Sequence, residues 1–121
     1  MTVTRFQDLP LADRDREWDS AAADKRVRAW AGIDDKPNDS YKQAFLWYDG
    51  DDADEFGAYK LPIADVVNGE LKAVPRAVMS AAGVLDGARG GVNLPKDEID
   101  RVRGHLAKYY AKMDERPPWE R

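Results

Sequence analysis

The chain offers a single histidine, scattered serines, an acidic run and a glycine-rich loop as the groups that could do chemistry. His105 lies between Val102 and Leu106, beside an apolar stripe, with no acid or nucleophile next to it in sequence. That placement reads as a surface or boundary histidine, not as a base or a metal ligand. Ser20, Ser40 and Ser80 stand in no nucleophile-elbow context, and Ser20 has a simpler use near the start of a helix. There is no cysteine, which excludes thiol nucleophiles, thiolate zinc sites and disulfides together.

The acidic run Asp49-Gly50-Asp51-Asp52-Ala53-Asp54-Glu55 invites a calcium reading, because hard cations favour several oxygen ligands in one flexible turn. The helix-loop-helix calcium pattern does not fit it. Counting from Asp49 puts Ala53 at the fifth position; counting from Asp52 puts Phe56 at the fifth and Ile63 at the twelfth, where a bidentate carboxylate belongs. A solvated acidic loop between strands is the expectation. Gly87-Ala88-Arg89-Gly90-Gly91 resembles a phosphate cradle only superficially, since it has no lysine-serine ending and follows a helix instead of a strand. Gly87, Arg89, Gly90 and Gly91 are read as a structural loop: a helix end and tight reversal, with Arg89 bonding helix-end carbonyls or a carboxylate. No catalytic, cofactor-binding or metal-binding residue is predicted, and the chain is not read as an enzyme.

Composition narrows the partners. The 121 residues suit one domain, and 43% hydrophobic residues with four Trp, five Tyr and three Phe can build one core. The formal charge is -4, with both signs interspersed among 35% charged residues, which describes a solvated surface more than a nucleic-acid footprint. Trp47-Tyr48, Tyr59 and Tyr109-Tyr110 could stack bases, but without a basic field they read as core and subunit contacts. Met1 to Asp13 lacks the apolar core of a signal peptide, and no run approaches the ~20 apolar residues of a membrane span. No membrane association is expected, and the chain reads as cytoplasmic in origin.

The elements that must position these residues centre on Ala73 to Met113. Ile99, Val102, Leu106, Tyr109 and Met113 recur at helical spacing, and Val78, Ala81, Ala82 and Leu85 line a matching face, so a helical hairpin closed by the glycine loop is predicted. Pro75 and Pro95 fit the first turns of its two helices. Upstream, Asp19 caps a helix through Ala31 that Gly32 ends, with Ala23, Val27 and Trp30 on its buried face and Trp18 as a hydrophobic staple on Ala23. Asp34 to Ser40 reads as an exposed connection. Phe45–Tyr48 and Ala58–Leu61 read as strands, with Pro62 placing the second at an edge or ending it. Val66-Val67-Asn68-Gly69-Glu70-Leu71 is a two-residue hairpin, since Asn-Gly supplies two positive φ angles.

The predicted fold is therefore a single α+β domain over residues 1–121: an N-terminal helix, a small antiparallel sheet with an Asn-Gly hairpin, and a C-terminal helical hairpin packed on the sheet. Residues 1–18 form an arm and 115–121 a tail. The predicted core contains Trp18, Val27, Trp30, Phe45, Trp47, Leu61, Val66, Leu71, Val78, Leu85, Ile99, Val102, Leu106 and Tyr109. Phe6, Leu9 and Leu11 in the arm and Trp119 in the tail are more apolar than free ends need to be. They are the candidate partner contacts, unless both ends fold back on their own domain.

Four stretches carry a family resemblance: Leu9-Pro10-Leu11-Ala12-Asp13-Arg14-Asp15-Arg16-Glu17-Trp18-Asp19, Phe45-Leu46-Trp47-Tyr48, Tyr59-Lys60-Leu61-Pro62-Ile63-Ala64-Asp65-Val66 and Gly87-Ala88-Arg89-Gly90-Gly91-Val92-Asn93-Leu94-Pro95. In order along the chain they resemble a small domain of tailed-phage and prophage proteins, found alone or attached to capsid maturation (prohead) proteases and other head-morphogenesis proteins. Asn93 departs from the Asp often found there. The resemblance brings no catalytic residues with it. It implies a non-enzymatic protein-interaction domain of phage head assembly or of the virion, present in the host cytoplasm during assembly. The partner it implies is a capsid or head-morphogenesis protein, or a second copy of the chain. One rival is an accessory domain that holds substrate or capsid protein for a prohead protease. Another, less favoured, is a nucleic-acid module using Arg89, Arg101, Arg103 and Lys108.

Overall fold

A computed structural model describes residues 2–4, 6–87 and 94–120. Its strands form two small sheets where a single one was predicted. In the first, β1 (Thr2–Val3), β2 (Phe45–Tyr48) and β3 (Tyr59–Pro62) lie in that order, all antiparallel. In the second, β4 (Ala64–Val67) pairs with β5 (Glu70–Ala73). The split happens at Leu61-Pro62-Ile63. Leu61 takes the left-handed region at φ 60, and Pro62 has no N–H to extend the ladder. Ile63 then links the sheets, donating its N–H to Ala44 and accepting from Val74, each at 2.9 Å. As predicted, β3 is an edge strand that finishes at the proline. The hairpin turn is Asn68 at φ 55 and Gly69 at φ 78, both positive as a tight two-residue turn demands.

Helix α1 (Ser20–Ala31) is capped as the sequence predicts: Asp19 Oδ1 accepts from the N–H groups of Ala21 and Ala22 at 3.1 and 3.2 Å. It packs on β4 through Ala23 and Val27. Trp30, predicted in the core, is 37% exposed. The buried face of α1 runs through Ala23, Val27 and the half-buried Ala31, and Trp30 falls to one side of it. Gly32 at φ 69 reverses the chain, and Ile33 donates to Arg28 over a 3.0 Å bond, so Ile33 packs against the core from beyond the cap. The predicted exposed connection also needs correction. Pro37 is buried, and Asn38 caps a single-turn helix, α2 (Asp39–Lys42), which carries Tyr41 into the core at 2% exposure.

Helices α3 (Pro75–Leu85) and α4 (Lys96–Lys112) pack together. Val78 and Ala82 of α3 and Val102 and Leu106 of α4 have no exposed surface, and α4 also contacts β1 and β2. The core includes the predicted Phe45, Trp47, Leu61, Leu71, Leu85 and Tyr109, with Val66 and Ile99 half-buried at its margin. Trp18 packs in a second, smaller cluster with Ala12, Val74 and Ala77. At the end of α3, Gly87 has φ 107 and donates to Val84 at 3.1 Å. The rest of the predicted structural loop, Arg89, Gly90 and Gly91 included, lies outside the described residues.

Candidate functional site

The four candidate contact residues are packed within the chain. Leu9 is buried in the main core, and Phe6, Leu11 and Trp119 are half-buried against it. Phe6 meets the His105 ring edge-on at 5.4 Å and the Tyr109 ring at 4.9 Å. Leu11 bridges Ala73 of β5, flanked by the hydrogen bonds Ala12 to Ala73 and Ala73 to Pro10, both 2.9 Å. Trp119 lies 5.5 Å from the Arg103 guanidinium. Both ends therefore fold back on their own chain, the alternative weighed from the sequence. Leu9, almost wholly covered, has little surface left to offer a partner.

Three buried polar groups hold this packing, and each has a partner distant in sequence. Asp65, 1% exposed, receives Arg26 through two 2.8 Å bonds, Arg16 at 3.1 Å and the Val66 N–H at 2.7 Å. Burial pushes its carboxyl up, but the Arg26 and Arg16 guanidiniums and the Val66 N–H outweigh this and hold it below the usual range. Glu98 accepts the indole N–H of Trp47 at 2.9 Å. His105, read from the sequence as a surface or boundary residue, is 7% exposed. Its Nδ1 sits 3.1 Å from the Thr4 carbonyl, and burial is the main reason its pKa falls from 6.5 to about 4. Its placement depends on a residue a hundred positions away, which local spacing could not reveal.

An apolar recess with a polar rim lies between α1 and the strands. Its volume is about 370 Å³, and its floor is aromatic: Tyr41, Phe45, Phe56 and Tyr59. The Tyr41 ring is 4.8 Å from Phe45 and 5.3 Å from both Phe56 and Tyr59. On the rim, the Tyr41 hydroxyl donates to Asp24, Arg28 Nε stands 2.8 Å from the other Asp24 oxygen, and the Arg28 guanidinium covers the Phe56 ring at 3.7 Å. Burial and then Asp24 push the Tyr41 hydroxyl well above its ordinary value. Burial above all, with Tyr48, Asp54 and Asp39, pushes Tyr59 up to about 12. Both hydroxyls stay protonated near neutrality. The groove is thus a hydrogen-bonded apolar recess that can hold a side chain, and its tyrosines are poorly suited to move protons.

The sequence reading singled out none of Asp24, Arg28 and Tyr41. The available signal was the i,i+4 spacing of Asp24 and Arg28 around the buried Val27. The acidic loop forms a short 3-10 turn, Gly50–Asp52, with Asp49 accepting from the Asp51 N–H at 3.1 Å, and a second such turn, Phe56–Ala58, follows it. Among the described residues no cluster of three acids or histidines is arranged to hold a metal ion, and no helix is long and apolar enough to cross a membrane. Compared with models of protein families, with curated proteins and with solved structures, the chain matches none.

Proposed function

We propose that the chain is a non-enzymatic protein-interaction domain of phage head assembly or the virion. In this reading the groove between α1 and the sheet receives an apolar side chain from a capsid or head-morphogenesis protein. The groove carries the reading, because it joins an aromatic floor to a rim already fixed by Asp24, Arg28 and Tyr41, so little order is lost when a partner docks. Asp65, Glu98 and His105 support the non-enzymatic part, since each is committed to a structural partner. The phage setting rests on the resemblance of the arm, the strands and the glycine loop.

Co-sedimentation with proheads assembled from a tailed-phage major capsid protein tests this. The wild type should pellet with the particles. Ala21→Glu should not: Ala21 is an exposed residue on the groove wall, and an acid in the first turn of α1 suits the helix while its charge obstructs the recess. A wild type that stays in the supernatant, or an Ala21→Glu chain that pellets equally well, would overturn the reading.

A further inference from the structure

We infer that His105 is an acid-sensitive latch for the N-terminal arm: protonating its ring frees β1 and Phe6 from β2 and α4 while the rest of the fold stays closed. The geometry is a clasp. The imidazole stacks on Tyr109 of its own helix at 5.7 Å, takes Phe6 of the arm against its edge, and bonds the Thr4 carbonyl. A carbonyl can only accept, so Nδ1 carries the hydrogen of the neutral ring and an added proton must go to Nε2. That proton would create a cation held between two aromatic residues and mostly cut off from water.

Among the described residues, the charged groups near the clasp do not favour a charged ring. On α4, Lys108 acts against a charged ring and its ammonium lies 5.1 Å from the Phe6 ring. Lys112, on the same helix, is taken up by Asp8 at 2.8 Å and the Leu9 carbonyl at 2.6 Å. Strand β2 contributes backbone acceptors: Leu46 accepts from the Thr4 N–H at 3.0 Å, and Phe45 accepts from the Thr4 hydroxyl. Strand β1 has just two residues, so little must be broken to lift it. Beyond it, Leu9, the bridge at Ala73 and the Arg16–Asp65 pair keep the remainder of the arm in place.

The direction follows from proton linkage. The closed clasp binds a proton at about 4, whereas an opened ring returns toward 6.5. The closed arm is therefore fully favoured above about pH 6.5 and loses ground as pH falls toward 4, its open population rising about 30-fold between pH 7.5 and pH 5.

Amide hydrogen exchange by NMR, corrected for intrinsic rates, tests this on the full chain. The protection of the Thr4 amide should fall by about that factor at pH 5, while the Val102 amide in α4 holds its protection. His105→Gln, which keeps a neutral donor for the Thr4 carbonyl, should remove the pH dependence. Equal Thr4 protection at the two pH values, an equal fall in His105→Gln, or a parallel fall at Val102 would overturn the latch. Should His105→Gln fail to fold, the imidazole titration of the wild type decides: a midpoint above about 6 overturns the proposal, and one near 4 with the Thr4 fall upholds it.

Discussion

At the scale of single residues, the fold depends on a few groups whose removal leaves something worse than a missing contact. Asp65 is the sharpest case, because it neutralises two guanidiniums arriving from different parts of the chain. Asp65→Asn should destabilise the fold by ~1–3 kcal/mol, below the cost of breaking a fully buried pair, since Arg16 and Arg26 are 31% and 48% exposed and water can recover part of the loss. Urea melts at pH 7 measure it. The same carboxylate gives an acid limb: its folded pKa lies below the ordinary 3.8, so its contribution is complete above that value and fades as pH falls below it. The wild type should lose this stability on acidification, and Asp65→Asn should show a flatter dependence there. Leu106 represents the apolar counterpart. With no exposed surface, Leu106→Ala should cost ~2–5 kcal/mol in the same melts; a loss below about 0.5 kcal/mol would mean that the cavity collapses almost completely.

At the scale of elements, the turns carry the topology. Gly69 occupies φ 78 with open space where a Cβ would stand, so Gly69→Ala should cost ~1–2 kcal/mol through backbone strain alone, with no clash. Thermal melts of that variant beside Gly57→Ala, where φ is ordinary and space is also open, isolate the conformational part. These turns also show what the sequence made legible. The Asn-Gly hairpin, the Asp19 cap, the Gly32 stop and the α4 stripe are local signals, each decided within about one helical turn or one hairpin, and each stands as read. What escaped reading was decided by distant partners. Trp30 falls to one side of the buried face of α1, which runs through Ala23, Val27 and the half-buried Ala31, and Ile33 packs against the core from beyond the Gly32 turn. The two-sheet split depends on Leu61 adopting a left-handed conformation before a proline, against its own preference. The groove was invisible for the same reason, because Tyr41, Phe56 and Asp24 come together only after α1, α2 and the strands have packed.

At the scale of the whole molecule, the arm is the unusual part. It crosses from β1 past α4 to β5, and Arg16 fixes its far end to β4. A chain lacking residues 1–10 should expose the Tyr109 face and bind a hydrophobic dye where the full chain does not; equal dye binding would mean that α4 needs no cover. The distances in sequence are as telling as those in space: Leu9 meets Tyr109 across 100 positions, and Thr4 meets His105 across 101. During synthesis the arm leaves the ribosome about a hundred residues before its docking surface. Its apolar residues must therefore wait, uncovered, for roughly five to twenty seconds at ordinary elongation rates. Closure of the arm must follow the emergence of α4, and the interval before it leaves those apolar residues open to capture by a chaperone or by another chain.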